Sequence, residues 1–130
     1  MTPPILTANY AALLAVFYVA MSAYVIAIRA RTDISVGDGG NMQMLLAIRR
    51  HGNMIEYVPF AVLLMALAEG LGAGAIWLHI TGILLITGRL LHPVGLRISE
   101  KPPVARVVGT LSTFAAILLP AAAILAASLG

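Results

Sequence analysis

Three polar side chains with the chemistry to hold or move charge lie on one stripe of an otherwise apolar stretch, IRRHGNMIEYVPF at 48–60. Arg49, Asn53 and Glu56 stand at i, i+4 and i+7, one face of a helix. A guanidinium forks onto carboxylates, a carboxamide both donates and accepts, and a carboxylate accepts from an amine or carries a proton. Further on, GRLLHPVG puts Arg89 and His92 at i and i+3. In hydrocarbon such groups are costly unless they meet a partner helix or line a wet cavity, so they are the first candidates for function.

The rest of the chain reads as the scaffold that positions them. Its 130 residues are 61% hydrophobic and only 10% charged, with mean hydropathy +0.99, which excludes an ordinary soluble domain. At roughly 20 residues per crossing of a hydrocarbon layer about 30 Å thick, the length fits one domain of four spanning helices. There is no cysteine, so disulfides and thiolate metal sites are excluded and any thiol must come from a substrate. His51, His79 and His92 are too dispersed for a metal pair on one helix turn, and no metal is expected.

Read in order, an apolar run covers 5–28 and ends at Arg29. No basic stretch precedes it and it is long for a signal-peptide core, so it is a retained spanning helix. RARTDISVGDGGN is a turn-rich loop. The second helix covers 42–69 with a kink expected at Pro59. After EGLGAGA the third covers 75–97, with Trp77 as an interfacial anchor. The fourth covers 104–129, bent at Pro120, with an alanine-rich end offering a surface for close helix approach.

Helical rise places the stripes. Counting from Glu69 at one interface, Arg49 and Arg50 reach the other, and Asn53 and Glu56 lie about 5 to 10 Å inside it. Counting back from Arg97, Arg89 lies about 12 Å inside and His92 about 7 Å. The depths match, so an ion pair between Glu56 and Arg89 is expected across the second and third helices. All eight basic residues lie in or lean towards the loops between the first and second and the third and fourth helices. By the positive-inside rule both termini face away from the cytoplasm.

RRHGNMIEY followed by GRLLH resembles the signature of the MAPEG proteins, membrane-associated proteins in eicosanoid and glutathione metabolism, here of bacterial type. The resemblance is strong from the second helix to the start of the fourth. It implies an all-α membrane protein, a homotrimer of four-helix subunits, with glutathione as co-substrate between neighbouring subunits near the cytoplasmic face. Carried over by position, Arg49, Asn53, Glu56 and Tyr57 match the helix-two motif that holds the tripeptide, and Arg89 and His92 match the helix-three motif. Arg29, or Arg31 in its place, is similar to an arginine that contacts a glutathione carboxylate. Arg106 is similar to the arginine that stabilises the thiolate. Leu96, Val107 and Leu46 depart from the pattern, where some synthases carry a tyrosine, a serine and an arginine.

The chemistry of the residues agrees with that assignment. Glutathione carries two carboxylates and an amine, which call for several guanidinium forks and a carboxylate or amide. A guanidinium beside the sulfur favours its thiolate. The expectation is therefore a glutathione-dependent transferase or peroxidase of the bacterial inner membrane, acting on hydrophobic electrophiles that enter from the lipid. Its partners are lipids, its own copies and a hydrophobic small molecule, with no nucleic acid. Two other readings stand beside it: a non-catalytic membrane protein of the same fold, and a small proton-coupled transporter using Glu56. Each polar residue also has a structural reading. Glu56 and Arg89 could only fix helix register, Asn53 could glue helices, Arg50 faces headgroups, and His79 is an interfacial or packing residue.

Overall fold

The computed structural model describes residues 3–129, which form four helices and, among the described residues, no strand. They are α1 (Ile5–Thr32), α2 (Met42–Gly70), α3 (Ala75–Gly95) and α4 (Val104–Leu129). All four are long and apolar enough to cross a membrane. Large apolar side chains such as Leu13, Val16, Ile83 and Leu118 are more than half exposed, as suits a surface that faces lipid rather than water. The protein is an all-α, four-span membrane bundle.

The helix ends follow local chemistry. α1 runs to Thr32, past the expected stop at Ile28. Arg29 and Arg31 lie in its last turn, where cations are favoured, and Asp33 closes it in the left-handed conformation. The loop then turns on Gly37, Gly39 and Gly40, all at positive φ. Asn41 starts α2 by accepting from the Met44 N–H at 3.0 Å. α3 stops at Gly95, short of the expected Arg97, and the Leu96 carbonyl accepts from both Nε and Nη2 of Arg50 at 3.2 and 2.8 Å. Arg50 also donates to the Tyr24 hydroxyl, so it joins α1, α2 and the end of α3. That corrects its expected headgroup-facing role: the guanidinium turns inward, where the carbonyl at the end of α3 has no partner within its helix. Pro59, Pro93 and Pro120 all fall inside helices that continue through them.

The interior is built on Leu14, Met21, Met54, Ala61, Leu85 and Ala116, with a second cluster of Ile28, Met44 and Ala47 towards the Arg49 end. α3 and α4 make the most extensive pairing, α1 packs mainly on α2, and among the described residues α1 and α4 do not touch. The α3–α4 seam depends on missing side chains. A Cβ on Gly88 would sit 2.5 Å from Thr113 Oγ1 and 2.8 Å from the Gly109 carbonyl oxygen, and one on Gly95 would collide with the Arg106 backbone. The alanine-rich end of α4 lines an apolar groove with Trp77 and Leu78. At that same end the buried Glu69 carboxylate accepts from the N–H groups of Leu6 and Thr7 and from the Thr7 hydroxyl, at 2.7 to 2.9 Å. It thereby satisfies donors that a helix start leaves open.

Candidate functional site

The polar stripe of α2 divides into an inner edge and an outer edge. Asn53 and Tyr57, one turn apart, form the inner edge, facing α3 and α4. Arg89, only 3% exposed, donates through Nη1 to the Asn53 backbone carbonyl at 3.1 Å and to Asn53 Oδ1 at 2.6 Å. Its Nη2 donates to Thr113 Oγ1 on α4, and its guanidinium lies 5.4 Å from the centre of the Tyr57 ring. Thr113 in turn donates to the Gly109 carbonyl at 2.8 Å. Three helices therefore meet at one guanidinium.

The outer edge is Arg49 and Glu56, whose Nη1 and Oε1 are 4.0 Å apart and whose side chains are 62% and 51% exposed. The expected ion pair between Glu56 and Arg89 is not formed. Matching depth fixes how far along the membrane normal two groups lie, but not which way they point. At 3.6 residues per turn Glu56 lies about 60° round the helix from Asn53, and Asn53 is the one that faces α3.

The remaining candidates are spread around this centre. His92 is buried behind Arg89, and its Nδ1, like Nε of Arg89, has no protein partner among the described residues. Its backbone lies against Gly109 of α4. Arg106 is exposed in the first turn of α4, over a shallow cavity shared with Pro102, Val107 and Thr110. Arg29 donates to the carbonyls of Ile34 and Gly37 at 3.1 and 3.2 Å, which orders the α1–α2 loop, while Arg31 is exposed. Neither Arg29 nor Arg106 has a hydrogen bond or ion pair to the Arg49, Asn53 and Glu56 stripe among the described residues. His51 turns away from the stripe and shares a 2.9 Å hydrogen bond with Ser22 on α1. His79 pairs with Tyr10 at 2.9 Å near the opposite end, as an interfacial contact. Among the described residues no group of three acidic, histidine or cysteine side chains is placed to hold a metal ion.

The profile of the MAPEG family matches residues 7–126, nearly the whole chain. The chain belongs to the MAPEG family. Over 89 residues it is 42% identical to the inner membrane protein YecN of Escherichia coli, an alignment that covers 68% of each chain, and YecN of a second strain of that species matches equally well. No solved structure matches it.

In this MAPEG protein the residues of the two motifs separate by accessibility. Arg49 and Glu56 are open, Asn53 and Tyr57 are half-buried, and Arg89 and His92 are inside. Leu96, at the position where some synthases carry a tyrosine, stands one residue beyond α3 with its carbonyl held by Arg50. Thr113 is the residue that motif reading misses. A threonine in an apolar helix looks neutral, but Gly109 and Thr113 four apart form the small stripe that lets helices approach, and it faces Gly88 directly before Arg89.

Proposed function

We propose that this protein is a glutathione-dependent transferase or peroxidase of the bacterial inner membrane, acting on hydrophobic electrophiles at a site closed by a neighbouring copy of the chain in a homotrimer. The observation that carries this reading is the outward turn of Arg49 and Glu56. Two half-exposed charges inside a membrane-spanning helix are unfavourable against lipid tails, so this face must meet water, ligand or protein. A second copy supplies the missing wall, and an anionic peptide bearing an amine supplies partners for both charges.

The donor set fits glutathione in kind. Arg49 offers a fork for a carboxylate, Glu56 an acceptor for the α-amine, and Asn53 and Tyr57 flank them on the inner edge. Arg106, exposed at the start of α4, is the cation assigned to the thiolate, and Arg29 or Arg31 serves a second carboxylate once the neighbouring copy is in place. In a transfer the thiolate sulfur bonds to the electrophilic carbon, and either a leaving group departs with the bonding electrons and the thiol proton is released, or a π bond opens and takes up that proton. In hydroperoxide reduction two thiols yield a disulfide, an alcohol and water. A proton-coupled carrier would need Glu56 to release Arg89 on protonation, and these two residues are not partners here.

Calorimetric titration of the detergent-solubilised protein with reduced glutathione tests the reading. Binding that disappears in both Arg49→Ala and Glu56→Gln, with a thiolate absorbance band lost in Arg106→Ala, is the expected result. A protein that takes up no glutathione while remaining a folded trimer would overturn it.

A further inference from the structure

We propose that Thr113 is a positioning residue: acting through Arg89, it holds Asn53 with its carboxamide NH2 left free as a donor at the inner edge of the ligand site. The inference rests on the glutathione reading for the identity of the ligand, and on the geometry of three helices for the rest.

The direction of every bond in the chain is fixed by chemistry. A guanidinium has donors only, so the atom of the Asn53 carboxamide that faces Arg89 Nη1 at 2.6 Å must be oxygen. The amide assignment, which ordinarily rests on choosing between two similar atoms, is decided by the partner. Thr113 has one proton and gives it to the Gly109 carbonyl at 2.8 Å, so its lone pair is what Arg89 Nη2 meets. Proton donation therefore runs from Arg89 outward in both directions. At its end the Asn53 carbonyl is taken and its NH2 is not.

The arrangement is also built rather than incidental. Arg89 and Thr113 are 3% and 1% exposed, and they come within reach only because Gly88 and Gly109 let the α3 and α4 backbones touch. Arg89 also grips the backbone carbonyl of Asn53, which fixes the residue as well as its side chain. Without Thr113, the guanidinium loses the acceptor that sets its rotation and Asn53 is free to turn its oxygen outward. An outward oxygen would repel a ligand carboxylate where an NH2 would bind it. Arg89 thus acts on the ligand through Asn53 and does not touch it.

The 130-residue chain contains three asparagines, Asn9, Asn41 and Asn53, so selective 15N labelling yields three side-chain amide signals. The wild type should show the Asn53 NH2 resonances displaced from those of a freely rotating asparagine, as its oxygen is held by Arg89. Thr113→Val should move those resonances towards the values of a freely rotating side chain and weaken reduced glutathione roughly tenfold, the scale of one charged hydrogen bond, while Thr113→Ser retains both properties. An Asn53 signal unchanged in Thr113→Val overturns the proposal whatever the affinity does. If the signal changes as described but no form of the protein binds glutathione, the positioning role stands and the glutathione reading falls. Should Thr113→Val fail to fold, Thr113→Ala removes the same acceptor for Arg89 without branching at Cβ. In that variant a changed Asn53 signal supports the proposal, and a wild-type signal overturns it.

Discussion

The two carboxylates of α2, Glu56 midway along the helix and Glu69 at its end, live in opposite conditions. Glu69 is buried, and its oxygens receive the Leu6 and Thr7 amides and the Thr7 hydroxyl at normal hydrogen-bond lengths. Glu56 is half-exposed and has only a loose 4.0 Å contact with Arg49 on its own helix. Both are acids within membrane-spanning segments, so composition does not tell them apart. Satisfaction does. A charge whose hydrogen-bonding capacity is met inside the subunit serves the fold, and one left open towards the outside awaits something the subunit does not contain.

Mutations of the two acids should break in different ways. Glu69→Ala leaves buried amide and hydroxyl groups at the start of α1 without their acceptor, and should cost about 3 kcal/mol in reversible unfolding in detergent. Glutathione affinity of the folded fraction should be unchanged. Gly88→Ala forces α3 and α4 apart at a point where the obstacle is backbone as well as side chain. It should cost about 2 kcal/mol by the same measurement and also weaken glutathione, since it displaces Arg89 from Thr113. Glu56→Gln should change stability by less than about 1 kcal/mol, as expected of an exposed ion pair, yet reduce glutathione binding at least tenfold in calorimetry. If it proved as destabilising as Glu69→Ala, the contrast between the two acids would be lost. The smallest effect is expected for Tyr10→Phe, which removes an exposed hydrogen bond to His79 and should lower stability by about 0.5 kcal/mol with no change in binding.

The helices were legible in the sequence because apolar length is a strong signal. The starts of α2, α3 and α4 match the expectation, and the membrane class follows from composition alone. The ends of α1 and α3 were harder: α1 runs past Arg29 because a helix tolerates basic residues in its last turn, whereas α3 stops at Gly95, before Arg97 is reached. The polar stripe was legible as a stripe, while the partners of its members were not. Arg89 could be brought to the level of Asn53 and Glu56 but not turned towards one of them, because the azimuth depends on how α3 packs against α4. That packing is decided by Gly88, Gly95 and Gly109, whose contribution is the absence of a side chain. Arg50 was hidden for a related reason: its partner is the Leu96 backbone carbonyl, which any residue would offer.

The bond between Glu69 and Thr7 joins residues 62 apart in the chain. During synthesis α1 emerges long before the acid that completes its first turn, so it enters the bilayer with its leading amides still seeking a partner. Only when the whole of α2 has followed can the pair lock as a hairpin, at its Glu69 end. The completion of the first turn of α1 is thereby a property of the α1–α2 pair and not of α1 alone.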